Sequence, residues 1–273
     1  MLRIPAALML AALCLLSGPA AAQSQVFVFE EGVSGFSGFE DTTIFSDVDN
    51  SGGGTDGIFS GTILNLTFGG DTRHRRALIR VDLTGIPPGY VVEDVSLQMT
   101  VEMSGGNFGD IDYTLHRVTD TWGEGTVVGP SAGGFGAPAD NGDATWNSNR
   151  HNISAWITPG ADFIAAPSAT AAAGVAGTDV TWNAPGMIAD VQAWVNSPSA
   201  NHGWIVISSI EGVRQRIKKF HSSEAVAFRP VLTVTASPPT VPNRPILWVC
   251  LLLVLGGLGT IGVRRFSQED RRR

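Results

Sequence analysis

The sequence predicts an all-β fold, a jelly-roll-like antiparallel β-sandwich, on three observations. Apolar residues alternate with period two along several short segments. Gly and Pro punctuate the gaps between those segments. Only one stretch carries helical spacing. In chain order, 26–29 is a first short strand. Over 77–83, Ile79, Val81 and Leu83 oppose Leu78, Arg80 and Asp82. The clearest strand follows, with Val95, Leu97, Met99, Val101 and Met103 on one face and Ser96, Gln98, Thr100 and Glu102 on the other. Further short runs fall at 111–118, 204–209 and 231–235. Turns are marked by Gly85-Ile86-Pro87-Pro88-Gly89, Ser104-Gly105-Gly106-Asn107 and Ser197-Pro198. The helical stretch lies near 185–195, where Met187, Val191 and Trp194 recur at i, i+4 and i+7 beside Ile188 and Val195. Asn183 is placed to cap it and Pro185 suits its first turn. Residues 128–180 are rich in Gly, Ala and Ser; they read as long loops with one or two strands, unable to build a core of their own.

The two ends of the 273-residue chain read differently from its body. Residues 1–22 resemble a secretory signal helix: Arg3, an apolar run from Ile4 to Leu16, and Ala20-Ala21-Ala22 before Gln23. Leu13 precedes Cys14 where a lipoprotein signal needs a small residue. A Pro-rich linker, 237–245, leads to an uncharged run, 246–263, that would rise about 27 Å as a helix and so reads as a transmembrane segment. Residues 264–273 hold Arg264, Arg265, Arg271, Arg272 and Arg273, a tail expected to stay cytoplasmic. Pro239 with Val241-Pro242, Gly256-Gly257-Leu258-Gly259 and Arg264-Arg265 together resemble exosortase-type sorting signals, although Thr-Val-Pro-Asn-Arg-Pro stands where that motif has Pro-Glu-Pro. The resemblance implies a sorting protease as a partner. Between the ends, 23–243 carries 23 acids against 11 bases, a net charge of −12, and neither cysteine. That excludes a disulfide framework and argues against nucleic acid as a partner.

Within the body, an ordered set of pieces resembles one family. They are Asp41-Thr42-Thr43-Ile44 with the Asp/Gly-rich stretch 47–57, then Arg75 to Leu83 with Ile86-Pro87, and Leu115 to Thr119 leading into Trp122-Gly123-Glu124-Gly125. Asp143-Ala144-Thr145-Trp146, Asp190 to Val195, Asn201-His202-Gly203-Trp204, Phe220 to Glu224 and Arg229 to Val234 follow. Over 40–236 the chain is similar to the DNRLRE-type domain of bacterial and archaeal surface proteins, which implies a jelly-roll-like sandwich on an exported protein. Some relatives are classed as carbohydrate-binding modules. Two positions depart: the family's Ser-Arg-Glu is Ser222-Ser223-Glu224 here, and its closing Thr-Tyr is Thr235-Ala236.

Candidate sites follow from residue chemistry. No His-Glu-x-x-His, P-loop or nucleophile elbow occurs, so no catalytic residue is assigned. Trp146, Trp156 and Trp182 lie in the loop-rich stretch and are the better candidates to expose a ring for sugar stacking, although about two of three such tryptophans are expected to be largely buried. Arg73, Arg75 and Arg76 form a basic cluster, expected in a loop, that suits an acidic polysaccharide. Asp47, Asp49, Ser51 and Asp56 offer oxygens at the spacing of a structural calcium loop, although Ile58 stands where an EF-hand needs Glu. Arg80, mid-strand, is expected to pair with Glu224 or Glu124. No other cofactor is expected. The combined expectation is an exported module, membrane-anchored or at the cell surface after processing, that binds polysaccharide or matrix without enzymatic action. A ligand-free envelope protein and a secreted polysaccharide hydrolase or lyase are the alternatives.

Overall fold

The computed structural model describes residues 23–64, 72–105, 109–130 and 134–240. The signal segment, the apolar run 246–263 and the arginine tail lie outside the described residues. Among the described residues no helix is long and apolar enough to cross a membrane. Residues Gln23–Pro239 form one compact unit.

That unit is all-β apart from one α-helix, and its strand pairings are antiparallel. The strands are β1 (Gln25–Glu30), β2 (Phe39–Phe45), β3 (Asn50–Ser51), β4 (Gly57–Leu64), β5 (Thr72–Val81), β6 (Val91–Ser104), β7 (Ile111–Arg117), β8 (Ala137–Pro138), β9 (Ala169–Ala173), β10 (Asp179–Trp182), β11 (Trp204–Ser208), β12 (Arg216–His221) and β13 (Val231–Ser237). One layer runs β1-β13-β6 with β10 on the far side of β6; the other runs β12-β4-β5-β11-β7-β9 with β2 on β5, and β3 and β8 pair separately. The long β6 belongs to both layers. Val91 to Gln98 pair with β13, and Val101 to Ser104 pair with β12 across a register shift.

The alternation of β6 does what period two dictates. Val95, Leu97, Met99 and Val101 are fully buried between the layers, while Met103, at the strand end, is 37% exposed. They meet Leu232 and Val234 from β13 and Ile58, Ile79, Val206 and Phe220 from the opposite layer in one core. Burying such side chains stabilises by about 2 kcal/mol each. The helix α1 (Pro185–Asn196) places Met187, Val191, Trp194 and Val195 on this core, and Trp194 meets Trp204 edge-on at 4.6 Å. Pro185 opens it as expected, but Ala184 is its N-cap and no side chain caps it. Asn183 instead donates to Asp94 at 2.9 Å.

One further expectation changes. Strand β5 begins at Thr72 and contains Arg73, His74, Arg75 and Arg76, which were expected in a loop. The loop-rich stretch adds side chains to a core shared with the strands. Ala144, Trp156 and Ala161 pack with Ile44, Leu78, Val118, Trp122 and Ile205 in a second apolar cluster beside β5 and β11. Satellite clusters of this kind form under long loops.

Candidate functional site

Pieces far apart in sequence meet at Asp41. This residue, in β2, is fully buried, and its Oδ2 accepts the backbone N–H of Ser223 at 2.8 Å. Its own N–H donates to Glu124 Oε1 at 2.7 Å. Ser223 Oγ donates to Glu224 Oε1 at 3.0 Å, and the Glu224 N–H donates to Ser222 Oγ at 3.2 Å. Ser222 Oγ in turn donates to the Thr55 carbonyl at 2.7 Å. Four segments are thereby tied together: β2, the turn before β4, the loop after β7, and the loop between β12 and β13. Gly53 makes the packing possible, because a Cβ there would sit 2.1 Å from the Glu124 carbonyl oxygen.

The electrostatics of this knot are unusual. Burial, then the charge of Glu224, pushes the Asp41 carboxyl well above its ordinary range. Burial raises Glu124 to about 8, with Glu224 and Glu40 adding to the rise while the Asp41 N–H and Arg80 oppose it. Glu224 is raised too, first by burial. Asp41 Oδ1 is buried, with no hydrogen-bond partner among the described residues. Carboxylates that crowd one another hold protons toward neutral pH. Chemically, the knot can store protons and join four segments.

Arg80 does not reach Glu124 or Glu224 as a partner. It pairs with Glu40 on β2, opposite it in register, and its guanidinium lies 4.9 Å over the Trp122 ring. Trp122 Nε1 donates to the His202 carbonyl at 2.8 Å, so the Trp-Gly-Glu-Gly and Asn-His-Gly-Trp pieces also meet here. Burial, then Arg80, lowers the His202 pKa.

The basic cluster is spent on internal ion pairs. Asp47 pairs with Arg73, and its Oδ1 lies 2.6 Å from Arg75 Nη1. Arg75 is fully buried. Arg76 grips Glu211 with two hydrogen bonds, at 2.9 and 2.7 Å. The cluster is therefore not a basic patch awaiting an anion. The oxygens expected to form a calcium loop are also drawn apart. Asp47 faces the two arginines, Asp49 accepts from Asn147 at 3.3 Å, buried Ser51 lies beside Thr42, and Asp56 pairs with Lys219 at 2.8 Å. Among the described residues no three His, Cys, Asp or Glu side chains converge to hold a metal ion.

Of the three candidate tryptophans, two are core. Trp182 is fully buried with Nε1 donating to the Tyr113 carbonyl at 2.8 Å, and Trp156 is 5% exposed with Nε1 donating to the Thr145 carbonyl at 2.9 Å. Trp146 is half-buried. His74 stacks near it at 6.2 Å, and the Arg76 guanidinium lies 4.7 Å over its ring. His74 and Arg76 share one face of β5, so the indole rests across the strand on a cationic and aromatic support. A cavity of about 10 Å³ lined by Thr43, Phe45, Thr55 and Phe59 holds a water at most and is too small for a sugar.

Sequence reasoning missed the Asp41 knot as a unit, although its members stood in separate quoted pieces. It also missed Lys218 and Lys219, both buried in β12. Their signal was present only as a Lys-Lys pair inside the apolar frame Ile217 and Phe220.

No protein-family model matches the chain, and no curated protein is significantly similar to it.

Proposed function

We propose that the chain is an exported, membrane-anchored module of DNRLRE type with a jelly-roll-like sandwich, and that it contacts extracellular polysaccharide or matrix without transforming it. Trp146 carries this reading. It is half-buried where Trp156 and Trp182 are buried, and Arg76 and His74 pack against its ring. A rigid, partly exposed indole on a β-layer suits the CH face of a sugar. Because Arg73, Arg75 and Arg76 are committed to Asp47 and Glu211, stacking rather than charge attraction is the expected source of affinity. The leader and anchor read from the two ends supply the route to the cell surface.

The test is a glycan array probed with residues 23–239. Binding to one polysaccharide class, weakened at least about tenfold by Trp146→Ala with an unchanged melting curve, is the expected result. An array without any binder points to an envelope protein with no ligand. A hydrolase or lyase reading has one observation in its favour, the Glu124 carboxyl that keeps its proton up to about pH 8. Product release abolished by Glu124→Gln would transfer the assignment to that reading.

A further inference from the structure

Lys219 stands in β12 between two carboxylates. Its side chain is fully buried, and Nζ lies 2.8 Å from Asp56 Oδ1 and 2.7 Å from Glu102 Oε2. The three residues belong to neighbouring segments. Lys219 opposes Phe59 of β4 on one side and Met103 of β6 on the other, Asp56 immediately precedes β4, and Glu102 lies in β6. The Phe59 ring centre is 5.9 Å from Nζ. Gly57 is required by this packing, since a Cβ there would lie 2.3 Å from Lys219 Cε and 2.9 Å from Glu102 Oε2. His221 is 3.9 Å from the same Glu102 oxygen.

A buried amine held against a carboxyl, with a second carboxyl touching the same nitrogen, has the parts of an amide-forming site. We propose that Lys219 and Asp56 join through an intramolecular isopeptide bond, with Glu102 as the proton carrier. Glu102 takes a proton from the Lys219 ammonium. The freed Nζ attacks Asp56 Cγ, a C–N bond forms, and a Cγ–O bond breaks. Glu102 returns its proton to the departing oxygen, the attacking nitrogen gives up a second proton to the same oxygen, and that oxygen leaves as water. The ammonium and carboxylate supply every atom of the amide and the water, so no oxidant or activating group is consumed. Holding Nζ 2.8 Å from an Asp56 carboxylate oxygen replaces a bimolecular encounter by a step with an effective concentration on the order of 10⁵ M or more. Asp56 is 56% exposed, so the water leaves directly to solvent. The link would tie positions 163 residues apart in a domain with no cysteine to make a disulfide.

Peptide mapping of the purified full chain by tandem mass spectrometry tests this. The expected product is a branched peptide joining the Asp56 and Lys219 segments, lighter by one water than the two together, with no tryptic cleavage after Lys219. Lys219→Arg keeps the cation and the fold but gives linear peptides. Glu102→Gln lowers the branched fraction at least about tenfold, with folding verified by circular dichroism. Linear peptides cleaved after Lys219 in the folded wild-type chain overturn the proposal. So does a water-light but linear Asp56 peptide that regains water in mild base, because Asp56-Gly57 can lose water to its own backbone as a succinimide.

Discussion

Strand β2 has opposite electrostatics near its two ends. Toward its start, Asp41 is buried among Glu124 and Glu224, carboxylates that raise one another's pKa. Just past its finish, Asp47 faces two guanidiniums, those of Arg73 and Arg75. The first group has too many negative charges and answers by holding protons. The second has a single anion for two cations that keep their charge at any physiological pH, so the pairing itself must supply the compensation. The two ends of β2 therefore border one group of crowded carboxylates and one group of opposite charges held in ion pairs.

The largest effect is expected where no proton can help. Asp47→Ala leaves Arg75, fully exposed nowhere and already lowered in pKa by burial against the support of Asp47, without its carboxylate. Its remaining acceptors are the carbonyls of His74 and Gly134. Breaking a buried pair by removing one partner costs about 3 kcal/mol or more. Urea denaturation of 23–239 should show that loss equally at pH 5 and pH 8.5. A loss under about 1 kcal/mol would mean that the carbonyls alone satisfy Arg75.

At the Asp41 end the effect is smaller and depends on pH. Glu124 titrates near the ordinary 4.5 when unfolded and at about 8 when folded. Between those values the folded state binds more protons, so stability falls as pH rises through the window. Asp41 and Glu224 shift in the same direction and add to the slope. Each group contributes at most about 1.4 kcal/mol per pH unit, and solvent reaching Glu124 and Glu224 lowers that figure. Glu124→Gln keeps an acceptor for the Asp41 N–H and removes one charge. It should flatten the profile between pH 5 and 8.5 and make the variant about 1 kcal/mol more stable than the parent at pH 8.5. A wild-type profile that is flat across this range would show that the three carboxylates do not share protons.

The same contrast explains which parts of the fold were legible. The β6 pattern of Val95, Leu97, Met99 and Val101 was readable because a strand with one face on the core needs only local alternation. Strand β2 was not, because Asp41, Thr42, Thr43, Ile44 and Phe45 are all buried, on both faces, and no period survives. Strand β12 was not, because Lys218 and Lys219 read as surface charges until their partners arrive from 44 to 163 residues away. Arg73 to Arg76 suggested a loop for the same reason: Asp47 and Glu211, 28 and 135 residues distant, make the charges compatible with a strand. Trp156 and Trp182 could not be told apart from Trp146 in the sequence, because the carbonyls that accept from their indole nitrogens belong to distant or irregular segments. Apolar burial is written locally, whereas buried charge is written in pairs that only the fold brings together.

The smallest effect is expected at Arg80, which sits between the two regimes. Its pair with Glu40 is partly open to water, at 20% and 39% side-chain exposure, and such pairs contribute about 0.5 kcal/mol. The contact of its guanidinium with the Trp122 ring at 4.9 Å adds a similar amount, about 0.5–1 kcal/mol. Arg80→Met keeps the apolar stem over the ring and removes the charge. The expected loss at pH 5 is about 1 kcal/mol, smaller in molar salt, where exposed pairs are screened. Arg80 also lowers the pKa of Glu124, so its removal should move the fall in stability to higher pH. If Arg80→Met instead costs more than about 3 kcal/mol at pH 8.5 while costing little at pH 5, Arg80 is the counter-charge that keeps the ionised carboxylates together, and the Asp41 end of β2 is balanced by a cation after all.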